Sequence, residues 1–277
     1  MFNVHKSFLA VAAAAALMAA VSSCGDNKAR TEAAQNLVEQ ARALVAAHNC
    51  DSAISLLDTL DRSYRDCLEQ RREGTTVRLT ALASLSRDSL ASAELQLREA
   101  TTVLDALKPQ FKNVQMEGTQ GFYVYAPAYT GREMNTTCIQ PRVDDGGYMF
   151  IVANIAGRGI GLNSLEYNGV STAKGEAVKV EGSEIMSLMQ EGTSDFVNAL
   201  CNATAPANVT LQGTKGKATV KLDSKALEAM RATRDFAQAL QRQRRINITL
   251  EKLERQLARL NDQIANQIPV EPQAEEE

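Results

Sequence analysis

The chain has 277 residues, of which 30 are basic and 33 acidic, and 44% are hydrophobic. A mildly acidic chain lacks the electrostatic footprint of a nucleic-acid binder. Its length allows one large or two modest domains, and two histidines in the whole sequence leave little for metal or acid-base chemistry.

Met1 to Ser7 carries Lys6, and Phe8 to Val21 is an unbroken apolar run, "FLAVAAAAALMAAV". This is the pattern of a secretory signal peptide, too short for the about 20 apolar residues that span a bilayer as a helix. Val21-Ser22-Ser23 before Cys24 resembles a bacterial lipobox, so residues 1–23 are expected to be removed and Cys24 to be lipidated. The acyl chains then supply a stable anchor in the bilayer. Gly25 after the cysteine, rather than Asp, is the pattern that favours the outer membrane, facing the periplasm. Only Lys6 lies before Cys24, so 29 basic and 33 acidic residues remain beyond it, a net of −4.

From Ala29 to Ala47 apolar residues recur at Ala33, Leu37, Ala41, Leu44 and Val45, the spacing of one helix face. "HNCDS" interrupts the pattern, and Asp51 is placed to cap a second helix, "SAISLLDTLDRSY". The pair reads as an antiparallel hairpin. It resembles one tetratricopeptide unit, but no second copy follows to build a solenoid. Gly74 is expected to loosen the chain before a third helix, Thr76 to Lys108, closed by Pro109. Leu90, Ala93, Leu97, Ala100, Leu104, Leu107 and Phe111 keep a three-four spacing there. A matching stripe, Ile246, Leu250, Leu253, Leu257, Leu260 and Ile264, lies in a helix starting at Asp223 or Ser224 and ending by Pro269. The two predict an antiparallel, coiled-coil-like stalk, and the same heptads offer a route to a homo-oligomer.

Between them the period changes. "GFYVYAPA" and "EAVKVEG" alternate, "GYMFIVANIA" is nearly all apolar, and "NVTLQGTKGKATVKL" reads as two strands around a turn. Asp144-Asp145-Gly146-Gly147 suits a hairpin turn, and "TSDFVNALCNA" is the one helical interruption. The expected class is α+β: 24–113 as lipidated N-terminus, helical hairpin and first stalk helix; 114–222 as a β-rich domain; 223–268 as second stalk helix; 269–277 as a disordered acidic tail.

Three stretches, "AISLLDTLDRSYRDCLEQRREG", "CIQPRVDDGGYMFIVANIAG" and "VTLQGTKGKATVKLDSKALEAMRATRDFAQAL", resemble uncharacterised lipoproteins of Bacteroidales-type bacteria. Relatives often carry proline after the tyrosine where this chain has Tyr64-Arg65. The resemblance implies an envelope location and this architecture, and no particular activity.

The chemistry-bearing residues are few. His48 sits at a turn with no neighbouring ligand pattern. "GRGIGLNS" lacks the Lys-Ser/Thr of a phosphate loop and reads as a turn. Asp144, Asp145, Glu166 and Glu181 could converge on a sugar or a calcium ion. Arg242, Arg244 and Arg245 could pair with acidic neighbours or with a phosphate or lipid headgroup. Tyr123 and Tyr125 share one face of a strand and are the candidate contact for a partner or ligand, with sheet packing as the alternative. Cys50 and Cys67 flank a helix that holds them ~20 Å apart, whereas Cys138 and Cys201 fall in one domain and are the candidate disulfide. No catalytic residue, metal or cofactor is expected. The functional expectation is a non-enzymatic, lipid-anchored envelope protein presenting its β-rich domain to a protein partner; the alternative is a lipoprotein that binds a small molecule or glycan, with an envelope hydrolase less favoured.

Overall fold

The computed structural model describes residues 26–115, 121–132 and 135–267. The signal segment, Cys24 and the acidic tail 269–277 lie outside the described residues. The chain is α+β, and its described residues divide into two compact units, residues 26–89 with 254–267, and residues from 90 to 253. Both long helices therefore contribute to both units, where the sequence reading had placed domain boundaries at their ends.

In the first unit, α1 (Asp26–Ala46) and α2 (Cys50–Ser63) form the expected hairpin, followed by the start of α3 (Leu68–Leu107). Ala34, Val38 and Ala41 of α1 pack on Ala53, Leu57 and Leu60 of α2 and on Val77. The buried stripe of α1 is thus centred one residue beyond Ala33 and Leu37. At the turn, His48 N donates to Val45 O and Asn49 N to Leu44 O, with His48 at φ 58°. This is a Schellman ending with a histidine in the left-handed position that usually takes glycine. Asn49, not Asp51, occupies the N-cap of α2, and it makes no side-chain capping bond.

Gly74 does not break the chain: it lies inside α3. A Cβ there would come 2.8 Å from Leu60 Cδ2 and 3.2 Å from Leu57 Cδ2, so its missing side chain is what lets α2 approach. Arg30 fastens the connection after α2, donating from Nε and Nη2 to the Asp66 carboxylate and from Nη2 to Ser63 O. That hydrogen-bonded pair raises the Arg30 pKa and lowers that of Asp66. The last turns of α5 (Ser224–Ala265) run antiparallel to α3 here, Ser86 facing Gln256 and Thr76 facing Gln267.

Among the described residues the second unit contains ten strands in two antiparallel sheets. The six-stranded sheet runs β1 (Phe111–Val114), β2 (Phe122–Tyr125), β3 (Cys138–Asp144), β4 (Met149–Ala156), β8 (Ser183–Met189), β7 (Ala177–Val180). The four-stranded sheet runs β10 (Gly216–Leu222), β9 (Ala207–Gly213), β5 (Leu162–Tyr167), β6 (Val170–Ser171). Ile151, Ala153 and Ile155 on β4, Met186 and Leu188 on β8, and Leu211 and Val209 on β9 share one core with α4 (Ser194–Cys201) and with Leu227, Met230 and Phe236 of α5. Asp144–Gly147 makes the expected turn, Asp144 Oδ1 accepting from Tyr148 N. Asp223 caps α5, its Oδ1 accepting from Ala226 N. The α3 and α5 segments pair antiparallel in this unit too, Gln243 Nε2 donating to Thr101 Oγ1, and Ala93, Ala100 and Ile246 are buried.

Candidate functional site

A single proline decides where the six-stranded sheet opens. β3 pairs with β4 without a break through Pro141↔Ile151, but with β2 only at Phe122↔Asp144 and Tyr123↔Val143. Proline has no N–H and can be fully paired on one side at most; the unbroken pairing with β4 turns the donorless side toward β2. Beyond Tyr123 the strands separate, and β2 ends at the 3-10 turn Ala126–Ala128. The gap is a cleft of about 220 Å³ between Val124 and Tyr125 on one side and Cys138 to Pro141 on the other. Ala226 and Ala229 of α5 also line it, with Tyr129, Thr130 and Thr136.

Gln140 supplies the cleft with a polar group. It is 9% exposed, and its Oε1 accepts from Arg142 Nε at 2.7 Å. Arg142 can only donate, so the amide is fixed with its Nε2 on the other side, and no group among the described residues accepts from it. The Arg142 guanidinium also lies 4.1 Å from the centroid of the Phe122 ring, which holds it in place.

Tyr123 and Tyr125 do share a face, as the alternation predicted, but α5 covers that face. The Tyr123 ring meets Phe236 edge-on at 5.3 Å, and Phe236 stacks on Phe111 at 4.1 Å. Tyr125 is 7% exposed and donates its hydroxyl to Glu228 Oε1 at 2.8 Å. That hydrogen bond, with burial and the Glu228 charge, raises the phenol pKa above its ordinary value. Packing accounts for both rings. Tyr129, half-buried, lines the cleft with Lys112 Nζ 5.3 Å from its ring centroid.

No disulfide joins Cys138 and Cys201 in the structure. Cys138 lines the cleft beside Ala226 and Ala229. Cys201 ends α4, and its carbonyl accepts from Arg231 Nε, a residue on the opposite side of α5 from those alanines at helical spacing. A helix about 10–12 Å across separates thiols that a bridge needs within about 7 Å, measured between Cα atoms. Burial raises the Cys201 pKa and keeps it a thiol. Arg231 also bonds Ala203 O, so its charge closes the C-terminal end of α4.

The acidic residues do not gather. Glu166 Oε2 accepts from Gln212 Nε2 at 2.6 Å in the four-stranded sheet, Asp144 is engaged in its turn, and Glu181 occupies the turn after β7 at φ 47°. Among the described residues no three His, Cys, Asp or Glu side chains could hold a metal ion.

The glycines of "GRGIGLNS" have a use that spacing did not reveal. Glu184 on β8, 6% exposed, accepts through Oε2 from Ile160 N at 2.7 Å and Gly161 N at 3.1 Å. The loop's carbonyls in turn accept from Thr214 N and Lys215 N in the β9–β10 turn. The loop cradles an anion, as glycine-rich loops do, and the anion is the protein's own carboxylate.

Two smaller hollows also open on this unit. One, of about 170 Å³, is lined by Gln190, Asn198, Arg234, Gln238 and Gln241; Gln241 Nε2 donates to Gly147 O and Gln190 Oε1. The other lies between Gln96 and the arginine cluster, where Arg242 makes a loose 3.8 Å pair with Glu99. Comparison with protein-family models, curated proteins and solved structures finds no match.

Proposed function

We propose that this chain is a lipid-anchored cell-envelope protein of interaction type, attached through Cys24, whose β-rich unit receives a protein partner and catalyses no reaction. The lipobox-like Val21-Ser22-Ser23-Cys24 supports the anchor. The observation that carries the binding role is the cleft between β2 and β3, lined by Gln140, whose Oε1 is engaged by Arg142 and whose Nε2 has no acceptor among the described residues. Three charged groups of the unit act on the fold itself: buried Glu184 holds a loop, half-buried Arg231 closes α4, and exposed Glu228 receives the Tyr125 hydroxyl. The cleft volume, below the about 300 Å³ of most small-molecule pockets, favours a short inserted segment over a whole ligand; a single small molecule or glycan unit is the second reading.

Two measurements test this. Metabolic labelling with an alkyne fatty acid should tag the wild type and not Cys24→Ser; equal labelling would remove the anchor. A photo-crosslinking amino acid at position 129 should capture one recurrent protein in the native cells, while the same group at exposed Lys217 should not. Indistinguishable captures from both positions would count against a partner at the cleft.

A further inference from the structure

We infer that the slot between β2 and β3 takes an extended peptide segment of the partner, paired along β3 with a backbone carbonyl accepting from Gln140 Nε2. The inference rests on the interaction reading above and specifies how the partner is held.

Three features converge on a strand rather than a compact ligand. First, the walls are strands: Val124 and Tyr125 from β2 and Cys138 to Pro141 from β3, from both faces of the sheet, so the opening lies in the plane of the sheet. Second, the side of β3 turned to β2 carries backbone groups. In an antiparallel strand the N–H and C=O of alternate residues point the same way, so Ile139 offers a donor and an acceptor on the side to which Pro141 offers only its carbonyl. That is the material of β-strand addition. Third, Ala226 and Ala229, the α5 residues lining the slot, are the smallest side chains compatible with a helix, which leaves room for a side chain of the guest.

Gln140 adds selectivity. Its oxygen is committed to Arg142, so it presents donors only and favours a guest carbonyl over a guest N–H. Gln140 Nε2 has no acceptor among the described residues and is open to solvent, so a guest carbonyl placed there takes over a bond that water otherwise makes. Arg142 acts as a positioning residue by fixing which end of the amide faces the slot.

The test uses the full chain labelled with ¹⁵N, with pools of terminally blocked tetrapeptides, one position fixed in each pool, as the first probe. A mixture of neutral monosaccharides is the second. The expected result is that at least one peptide pool moves both the Gln140 side-chain amide and the Ile139 backbone amide. Gln140→Met should weaken that pool's affinity about tenfold, and Gln140→Glu, which keeps the contact with Arg142 but replaces the donor by an acceptor, at least as much. Far-UV circular dichroism checks that both variants fold. The inference is overturned if no peptide pool moves these signals, if monosaccharides move them and peptides do not, or if a folded Gln140→Glu binds as well as wild type. Should peptides fail while position 129 still captures one recurrent protein, the interaction reading stands and the strand-addition mode falls.

Discussion

Removing the Glu184 carboxylate is expected to loosen one side of the β-rich unit by a magnitude the structure fixes. Its Oε2 takes two backbone N–H groups, Ile160 at 2.7 Å and Gly161 at 3.1 Å, and hydrogen bonds to a charged group are worth about 1.5–3 kcal/mol each. The loop is half-exposed, so water re-solvates part of it and the lower end of that range applies. Glu184→Ala should then cost about 3 kcal/mol. Glu184→Gln keeps an acceptor but loses the charge, and charge-assisted bonds are roughly twice as strong as neutral ones, so its cost should be about 1.5 kcal/mol. Five of the six tyrosines, 123, 125, 129, 148 and 167, belong to this unit and tryptophan is absent, which makes tyrosine fluorescence in a urea titration the natural assay. The order wild type, Gln, Ala is required. An Ala variant within about 0.5 kcal/mol of wild type, the range of an inconsequential surface change, would refute the claim that the loop is held by this carboxylate.

Other substitutions test other parts of the account. His48→Gly should stabilise the helical unit by about 0.5–1 kcal/mol, because glycine adopts the left-handed conformation without the Cβ penalty; thermal unfolding reads it, and a lower midpoint would contradict the Schellman assignment. Gly74→Ala gains about 1 kcal/mol of helix propensity but drives a methyl within 2.8 Å of the buried Leu60, and overpacking of about 1–3 kcal/mol should leave it destabilised; a variant more stable than wild type would show that α2 does not need the close approach. Phe236→Ala, at a site 1% exposed and stacked on Phe111, should cost about 3–5 kcal/mol in the same denaturation assay. Tyr125 titrates above its ordinary value in the folded state, so its contribution is fully present below about pH 10 and is lost as pH rises through the folded value. Tyr125→Phe should therefore flatten the fall of stability above pH 10, and absorbance at 295 nm should show one tyrosine of the wild type ionising late.

Much of the helical architecture was legible because its signals are local. The start of α5 at Asp223 or Ser224, the stripes of α3 and α5, and the antiparallel pairing follow from periodicity and chain direction. Gly74 was misread because propensity treats an isolated glycine as a breaker, while its reason is a contact with Leu60, distant in sequence. In the β-rich region the apolar runs marked β2, β4, β9 and β10, and Asp144–Gly147 marked a turn. Other strands were not read: β3 is interrupted by Pro141, and β5 begins inside the glycine-rich stretch. The candidate site was legible only in part. Alternation placed Tyr123 and Tyr125 on one face correctly, but which element covers a face is a tertiary fact. Gln140 carried no motif: a glutamine with one end engaged becomes visible only when Arg142 is seen beside it. Proline within "CIQPRVDD" was the available clue, since a donorless residue in a sheet implies an edge.

Pro141 makes the opening between β2 and β3 a property of covalent structure and not of a conformational equilibrium. No change of temperature, salt or occupancy gives this position an N–H, so the ladder bond that Pro141 would donate toward β2 is never made. A guest therefore meets a site that is already pre-organised, and its association needs no prior strand separation. The same residue caps how far a guest strand can pair, because a ladder advancing along β3 finds an acceptor but no donor there. One imino ring thus sets both the permanence of the opening and the length of what it can hold.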